Sequence, residues 1–240
     1  MNLRFSTLLV LCFCTAFESR GDVIITFANN DQLDGDQAGD TAMFTDTATT
    51  VTSTLTTREL RDVDGNSAVG EAELNANAGS LGINSLPQSD SQAAFDGDEA
   101  WVFDWDSVSE FRGIEFDDVG GNDSFRVQSD SWLNLALPGS ETGDGVTYVA
   151  AQGAFLFENN GNDEDFTLFD LVGNSGVALT VDMGDDIEIA YTGTQNAIIA
   201  SLTFALGTTA IPEPAHFALL GIGLGGLIVA RRRSKIASAK

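Results

Sequence analysis

The sequence predicts an all-β protein in which two antiparallel sheets pack as a jelly-roll-like sandwich. Three observations lead there. Apolar and polar positions alternate along the chain, the period of a strand with one buried face. Gly, Asn, Asp, Ser and Thr interrupt these runs every ten residues or so, as turns do. No stretch reads as a long helix, yet phenylalanine and β-branched residues recur throughout, which separates the chain from a disordered one.

Taken in order, residues 23–27 (V-I-I-T-F) form the first strand, and the acidic stretch 29–40 is a loop. Residues 48–57 are threonine-rich with Val51 and Leu55 between, a strand with one solvated face. Strands follow at 68–78 and at 81–85, the latter leading to a polar loop through Pro87 and Asp90. Residues 95–116 are the most characteristic stretch. There Trp101, Phe103 and Trp105 fall on one face of a strand, and Val102, Asp104 and Asp106 on the other. Ile114 and Phe116 share a face, and Gly120-Gly121-Asn122-Asp123 is a turn. Strands are expected at 124–127, at 132–137 and through 146–158, before a second acidic loop at 159–165 and the run Phe166-Thr167-Leu168-Phe169. Residues 177–181 and 187–191, joined through Gly184-Asp185-Asp186, read as a hairpin, and residues 197–206 close the body.

The two ends differ from this body. Residues 1–21 have the form of a secretory signal: Arg4, an apolar run over 5–14, and small-x-small cleavage candidates at Cys14-Thr15-Ala16 and Ser19-Arg20-Gly21. Bulky Leu11 and Phe13 before the cysteines oppose a lipoprotein reading. Cys12 and Cys14 both lie in this signal, so the exported body, residues 22–210, would hold together without a disulfide. At the other end stand Pro212, Glu213 and Pro214, an apolar run within 215–230, and the cluster Arg231, Arg232, Arg233 and Lys235. The prolines disfavour helix and mark a domain end. The apolar run is a short membrane span, and a cationic cluster directly after it stays on the cytoplasmic side, leaving the body outside.

The order and spacing of these three parts over residues 211–235 resemble the PEP-CTERM sorting signal of Gram-negative bacteria. The resemblance rests on Pro212-Glu213-Pro214, the glycine-rich apolar run and Arg231 to Arg233. It implies that an exosortase recognises the tail, that residues 215–230 enter the membrane, and that the protein is sorted to the cell surface; members of that family often occur in organisms that make extracellular polysaccharide. The stretches L-G-I-N-S and F-D-G-D-E before the aromatic strand also look like the body of many such proteins, and imply a β-sandwich without an assigned activity.

Charge narrows the partners. All but Glu18 and Glu213 of the 36 acidic residues lie in the body, which leaves 34 against four arginines, Arg58, Arg61, Arg112 and Arg126, a formal charge of −30. Nucleic acid and anionic membrane surfaces are excluded on Coulomb grounds. Divalent cations, basic partners and neutral glycans remain.

The body has no histidine and no cysteine, since His216 is in the tail. A Ser-His-Asp or Cys-His site and a His-ligated metal site cannot be built from it. Only carboxylate pairs such as Asp104 with Asp106, or Glu110 with Glu115, are left for catalysis. In a chain this acidic they read as solvated faces, so the expectation is a protein without enzymatic activity. Calcium takes six to eight oxygen ligands, which acidic loops supply. Three loops qualify: Asp31, Asp34, Asp36 and Asp40; Asp62, Asp64, Asn66 and Glu71; and Asn159, Asn162, Asp163 and Asp165. The second, D-V-D-G-N, stands nearest the EF-hand order, although Arg61 beside it opposes a cation. Glycan binding would need exposed aromatics, and Trp101, Trp105, Trp132, Tyr148 and Tyr191 are the candidates. Trp101 and Trp105 share a face with Phe103 and read as core; Trp132, beside Asp130 and Ser131, is the candidate for exposure. The function expected is a structural or adhesive one in an extracellular matrix, with a carbohydrate-binding module, calcium-dependent or not, as the alternative.

Overall fold

A computed structural model describes residues 22–27, 32–61, 72–76, 81–85, 94–95, 99–118, 123–137, 141–143, 146–158, 164–173, 175–193 and 197–207. The expected signal (1–21), the sorting tail (211–235), the calcium set Asp62, Asp64, Asn66 and Glu71, and the loop 159–163 lie outside these residues. Among the described residues no helix is long and apolar enough to cross a membrane.

The described chain is mostly strand: β1 Val23–Thr26, β2 Thr41–Thr45, β3 Thr52–Arg61, β4 Ala72–Asn75, β5 Gly82–Ser85, β6 Ala100–Trp105, β7 Ser109–Asp118, β8 Ser124–Ser129, β9 Glu141–Gly143, β10 Val146–Val149, β11 Ala154–Glu158, β12 Glu164–Thr167, β13 Thr180–Val181, β14 Ile187–Thr192 and β15 Ile198–Leu206. The helical pieces are a 3-10 turn, Asp130–Trp132, and one short helix, α1, Leu168–Val172. One antiparallel sheet runs β1-β15-β7-β12, with β13 also on β7; a second runs β2-β3-β6-β14-β8-β11-β10-β9; β4 and β5 pair separately.

The two large sheets meet through aromatic rings. Phe204 on β15 lies 5.4 Å from Trp105 and 6.1 Å from Phe103 on β6. Phe116 on β7 lies 5.0 Å from Phe125 and 5.2 Å from Phe157 on the facing sheet. These are edge-on and offset arrangements that aromatic pairs prefer, and they add to the area that the rings bury. Trp101, Phe103 and Trp105 are fully buried, as their shared face predicts.

Five expectations change. Residues 177–181 and 187–191 do not form a hairpin: β13 pairs with β7 in one sheet, and β14 sits between β6 and β8 in the other. The turn between them carries the chain across the core. Residues 146–158 are two strands, because Gly153 adopts a left-handed φ of 60° and turns β10 back into β11. A Cβ there would stand 2.4 Å from the Ser129 carbonyl oxygen. The acidic loop expected over 159–165 ends earlier, since Glu164 and Asp165 already belong to β12; Phe166 and Thr167 end that strand, and Leu168 and Phe169 begin the short helix, opened by a capping box between Thr167 and Asp170. Residues 132–137 are not a strand. The 3-10 turn swings the Trp132 indole inward, where it stacks 5.6 Å from Phe111 and donates from Nε1 to the Thr180 carbonyl at 3.1 Å.

Candidate functional site

The outward face of the eight-stranded sheet carries the most organised polar surface among the described residues. Trp101, Phe103 and Trp105 point into the core, so Ala100, Val102 and Asp104 lie on the opposite face, where their neighbours keep them buried as well. Register then fixes three rows across four strands. In the middle row Glu59 on β3 stands opposite Val102 on β6, and Glu188 on β14 stands opposite both Val102 and Gln128 on β8. In the row on one side, Arg61 faces Ala100, and Ala190 faces Ala100 and Arg126. On the other side, one step past the Ile187–Phe103 and Ile187–Ser129 pairs, Asp186 comes alongside Asp104 and Asp130. Successive rows are about 6.7 Å apart, two residues of strand rise.

A cleft of about 340 Å³ lies over these rows, lined by Glu59, Arg61, Val102, Gln128, Asp130 and Glu188, together with Ser129 and the turn residues Gly184 to Asp186. Its volume is in the range of small-ligand sites. Glu188 is its hub. Its carboxylate accepts from Arg61 at 2.6 Å on one oxygen and from Arg126 at 2.8 Å on the other. Burial alone would push Glu188 up, but the hydrogen bonds and charges of the two arginines outweigh it and hold the carboxyl below its ordinary value. Arg61 also donates to Glu59 at 3.1 Å. A guanidinium has five N–H groups, so Arg61, which lines the cleft, keeps donors for a ligand.

The acidic end is held by a local scaffold. The register of β3 shifts between Thr57 and Glu59, leaving Arg58 as an extra residue on the strand. Arg58 donates to Asp104 Oδ2 at 2.5 Å. The Ser131 hydroxyl donates to Asp185 at 2.6 Å, and Gly184 N–H donates to the Trp105 carbonyl at 3.0 Å, which fix the turn over the end of β6. Gly184 takes a left-handed φ of 80° that this turn needs. Burial pushes the Asp186 carboxyl up, and the charges of Asp104, Asp185 and Asp130 push it further, against Arg58.

Of the residues singled out in the sequence, Asp104 stands at the acidic end of the cleft, and the other described ones fall elsewhere. Trp132 is fully buried and offers no platform to a glycan, and Tyr148 and Tyr191 are buried as well. Polar Asp130 and Ser131 signalled exposure for Trp132, but they form the turn, capped by Ser129, that turns the indole inward. Asp106 accepts from the Ser53 hydroxyl and Thr54 N–H, both at 2.8 Å, and serves to pin β3. Glu110 is buried 3.4 Å from Arg112, and Glu115 accepts from the Ser201 hydroxyl, both on β7 in the other sheet. In the first acidic loop, Asp34 accepts from Ala76 N–H at 3.1 Å and Asp40 from Gln37 N–H at 2.9 Å. Among the described residues, no three His, Cys, Asp or Glu side chains converge closely enough to hold a metal ion.

The sequence reading missed the cleft itself. A signal existed: the body has four arginines, and Arg58, Arg61 and Arg126 all stand on this face. No family model matches the chain, and neither a curated protein nor a solved structure shows significant similarity to it.

Proposed function

We propose that this chain is an exported cell-surface or matrix protein, sorted through its tail by an exosortase-type system. Its role is adhesive: the body is a jelly-roll module that holds a hydroxyl-rich extracellular glycan in the cleft. The observation that carries the binding reading is the row of Glu59, Val102, Glu188 and Gln128 that lines the cleft with Arg61 beside it, Arg126 bracing Glu188 from the next row. Sugar hydroxyls both donate and accept, and these side chains offer carboxylate acceptors, guanidinium donors and an amide that does both. With the tryptophans and tyrosines buried, recognition runs through hydrogen bonds and not through stacked rings.

The jelly-roll reading is supported by strand order. β1-β15-β7-β12 stands opposite β6-β14-β8-β11, an arrangement of two four-stranded sheets in which the chain passes repeatedly from one sheet to the other. β2 and β3 then extend one edge of the second sheet, and β9 and β10 the other. The sorting reading is supported by Pro212-Glu213-Pro214, the apolar run and Arg231 to Arg233.

Two experiments test the two halves. The full chain is passed over a panel of neutral and charged glycans. Retention on at least one, weakened about tenfold or more by Glu188→Ala, is the expected result; no retention on any glycan overturns the binding reading and leaves a purely structural protein. Removal of residues 211–240 is expected to abolish surface display. An unchanged location would sink the sorting reading.

A further inference from the structure

We infer that the acidic end of the cleft receives a protonated amine, and that the glycan class held there is an amino-sugar chain with free amines. The inference rests on the cleft being the binding site.

Four carboxylates gather at that end, Asp104, Asp130, Asp185 and Asp186, and Arg58 is the cation paired with them. Asp104 is 3% exposed. One of its oxygens is paired with Arg58, while Oδ1 has no hydrogen-bond partner. Asp104 lies on the cleft side of the sheet, just behind the wall: a Cβ placed on Gly184, which lines the cleft, would stand 4.0 Å from its Oδ2. Like charges lined up across neighbouring strands are destabilising, and a buried carboxylate with an unpartnered oxygen adds to the cost. Burial first, and then the neighbouring carboxylates, raise the Asp186 carboxyl. A cationic group entering the cleft relieves the repulsion among the carboxylates that line it, Asp130, Asp185 and Asp186, with Asp104 just behind them.

The geometry selects among cations. A metal ion needs several oxygens converging at about 2.0–2.6 Å, and no three carboxylates of the described residues converge in that way. Asp185 is moreover engaged by the Ser131 hydroxyl. An ammonium group is less demanding. It carries one charge and three rotatable donors, bonds carboxylates at about 2.7–2.9 Å, and gains from further charges within about 4–6 Å. The next row, about 6.7 Å along the strands, offers Glu59, Glu188 and Gln128 to hydroxyls. A ligand with an amine at one position and hydroxyls beside it meets both rows, and an amino sugar has that composition.

The test is calorimetric titration of the full chain with a glucosamine trimer and with its fully N-acetylated counterpart. Acetylation removes the charge and leaves the other hydroxyls in place. The expected result is binding of the free-amine trimer at least tenfold tighter than the acetylated one, with a loss of about tenfold in Asp186→Asn and no such loss in Asp165→Asn. Asp165 is an exposed residue of the opposite sheet, so this variant removes the same formal charge elsewhere. Asp186 is itself exposed, and an unchanged circular-dichroism spectrum checks that its variant folds. Equal affinity for the two trimers would overturn the amine inference and leave the cleft reading standing. Equal losses in both variants would reduce the effect to net charge and overturn it. Displacement of the trimer by micromolar calcium would assign the acidic end to a metal and overturn it also. If neither trimer binds, this inference falls, and the glycan panel described above decides separately whether the cleft reading falls with it.

Discussion

Trp132 shows how much one side chain does for this core. Its indole joins the 3-10 turn to β7 and β13 by stacking on Phe111 and by one hydrogen bond to Thr180. Trp132→Ala is expected to cost about 3–5 kcal/mol, the range for large aromatic deletions. Trp132→Phe keeps most of the packing but strands the Thr180 carbonyl, for a cost of about 1–2 kcal/mol. Urea unfolding of the two variants measures both. Asp36 makes a second, opposite case. Burial, with the charge of Asp40 behind it, raises its carboxyl from 3.8 to about 6. A raised carboxyl means that the folded state holds its proton more tightly, so this contribution is present at low pH and is lost as pH rises from 3.8 through about 6. Discounted for screening at a partly exposed site, the loss is about 1 kcal/mol. Asp36→Asn is therefore expected to be more stable than the native chain at pH 7 by that amount, with the gap closing below pH 4; denaturation midpoints at the two pH values check it.

At the scale of the element, the shift in β3 is the feature that places a charge. It adds Arg58 to the strand and brings it to a nearly buried Asp104. Arg58→Ala leaves that carboxylate without its cation and is expected to cost about 1–3 kcal/mol. Asp104→Asn in the same chain should recover part of the loss, and a double-mutant cycle reads the coupling. The shift could not be foreseen from T-L-T-T-R-E-L-R, because alternation shows period and not register. The strands themselves were largely legible: the aromatic run 101–105, residues 23–27 and residues 197–206 lie where their alternation put them. Partners were not. Residues 177–181 and 187–191 look like a hairpin because a turn joins them, but the pairing is decided by the core-facing surfaces that each strand must match, and these belong to different sheets. Trp132 failed for a related reason, since its polar neighbours serve the turn and the ring serves the interior. The cleft was the least legible part, because its rows draw one residue from each of four strands and no local pattern records them.

The whole molecule carries a charge of −25, concentrated in a body that holds its sheets together without a cysteine. Such a body should be stabilised by simple salt. As sodium chloride rises from 0.1 to 1 M the screening length falls from roughly 10 Å to roughly 3 Å, and self-repulsion fades with it. The melting temperature is expected to climb across that range; a flat or falling curve would show that local pairing already neutralises the surface. The strand order has a mechanical consequence as well. Among the described residues, β15 lies inside its sheet, laddered to β1 along one side and β7 along the other, whereas β1 has a single ladder. A pull entering the body beyond Gly207 runs along β15 and must shear two ladders together, while a pull entering at Asp22 detaches one edge. A tether fixed at the carboxyl end thus loads the strand with the larger grip, and a glycan pulling on the other sheet would be resisted through the interdigitated rings of the core.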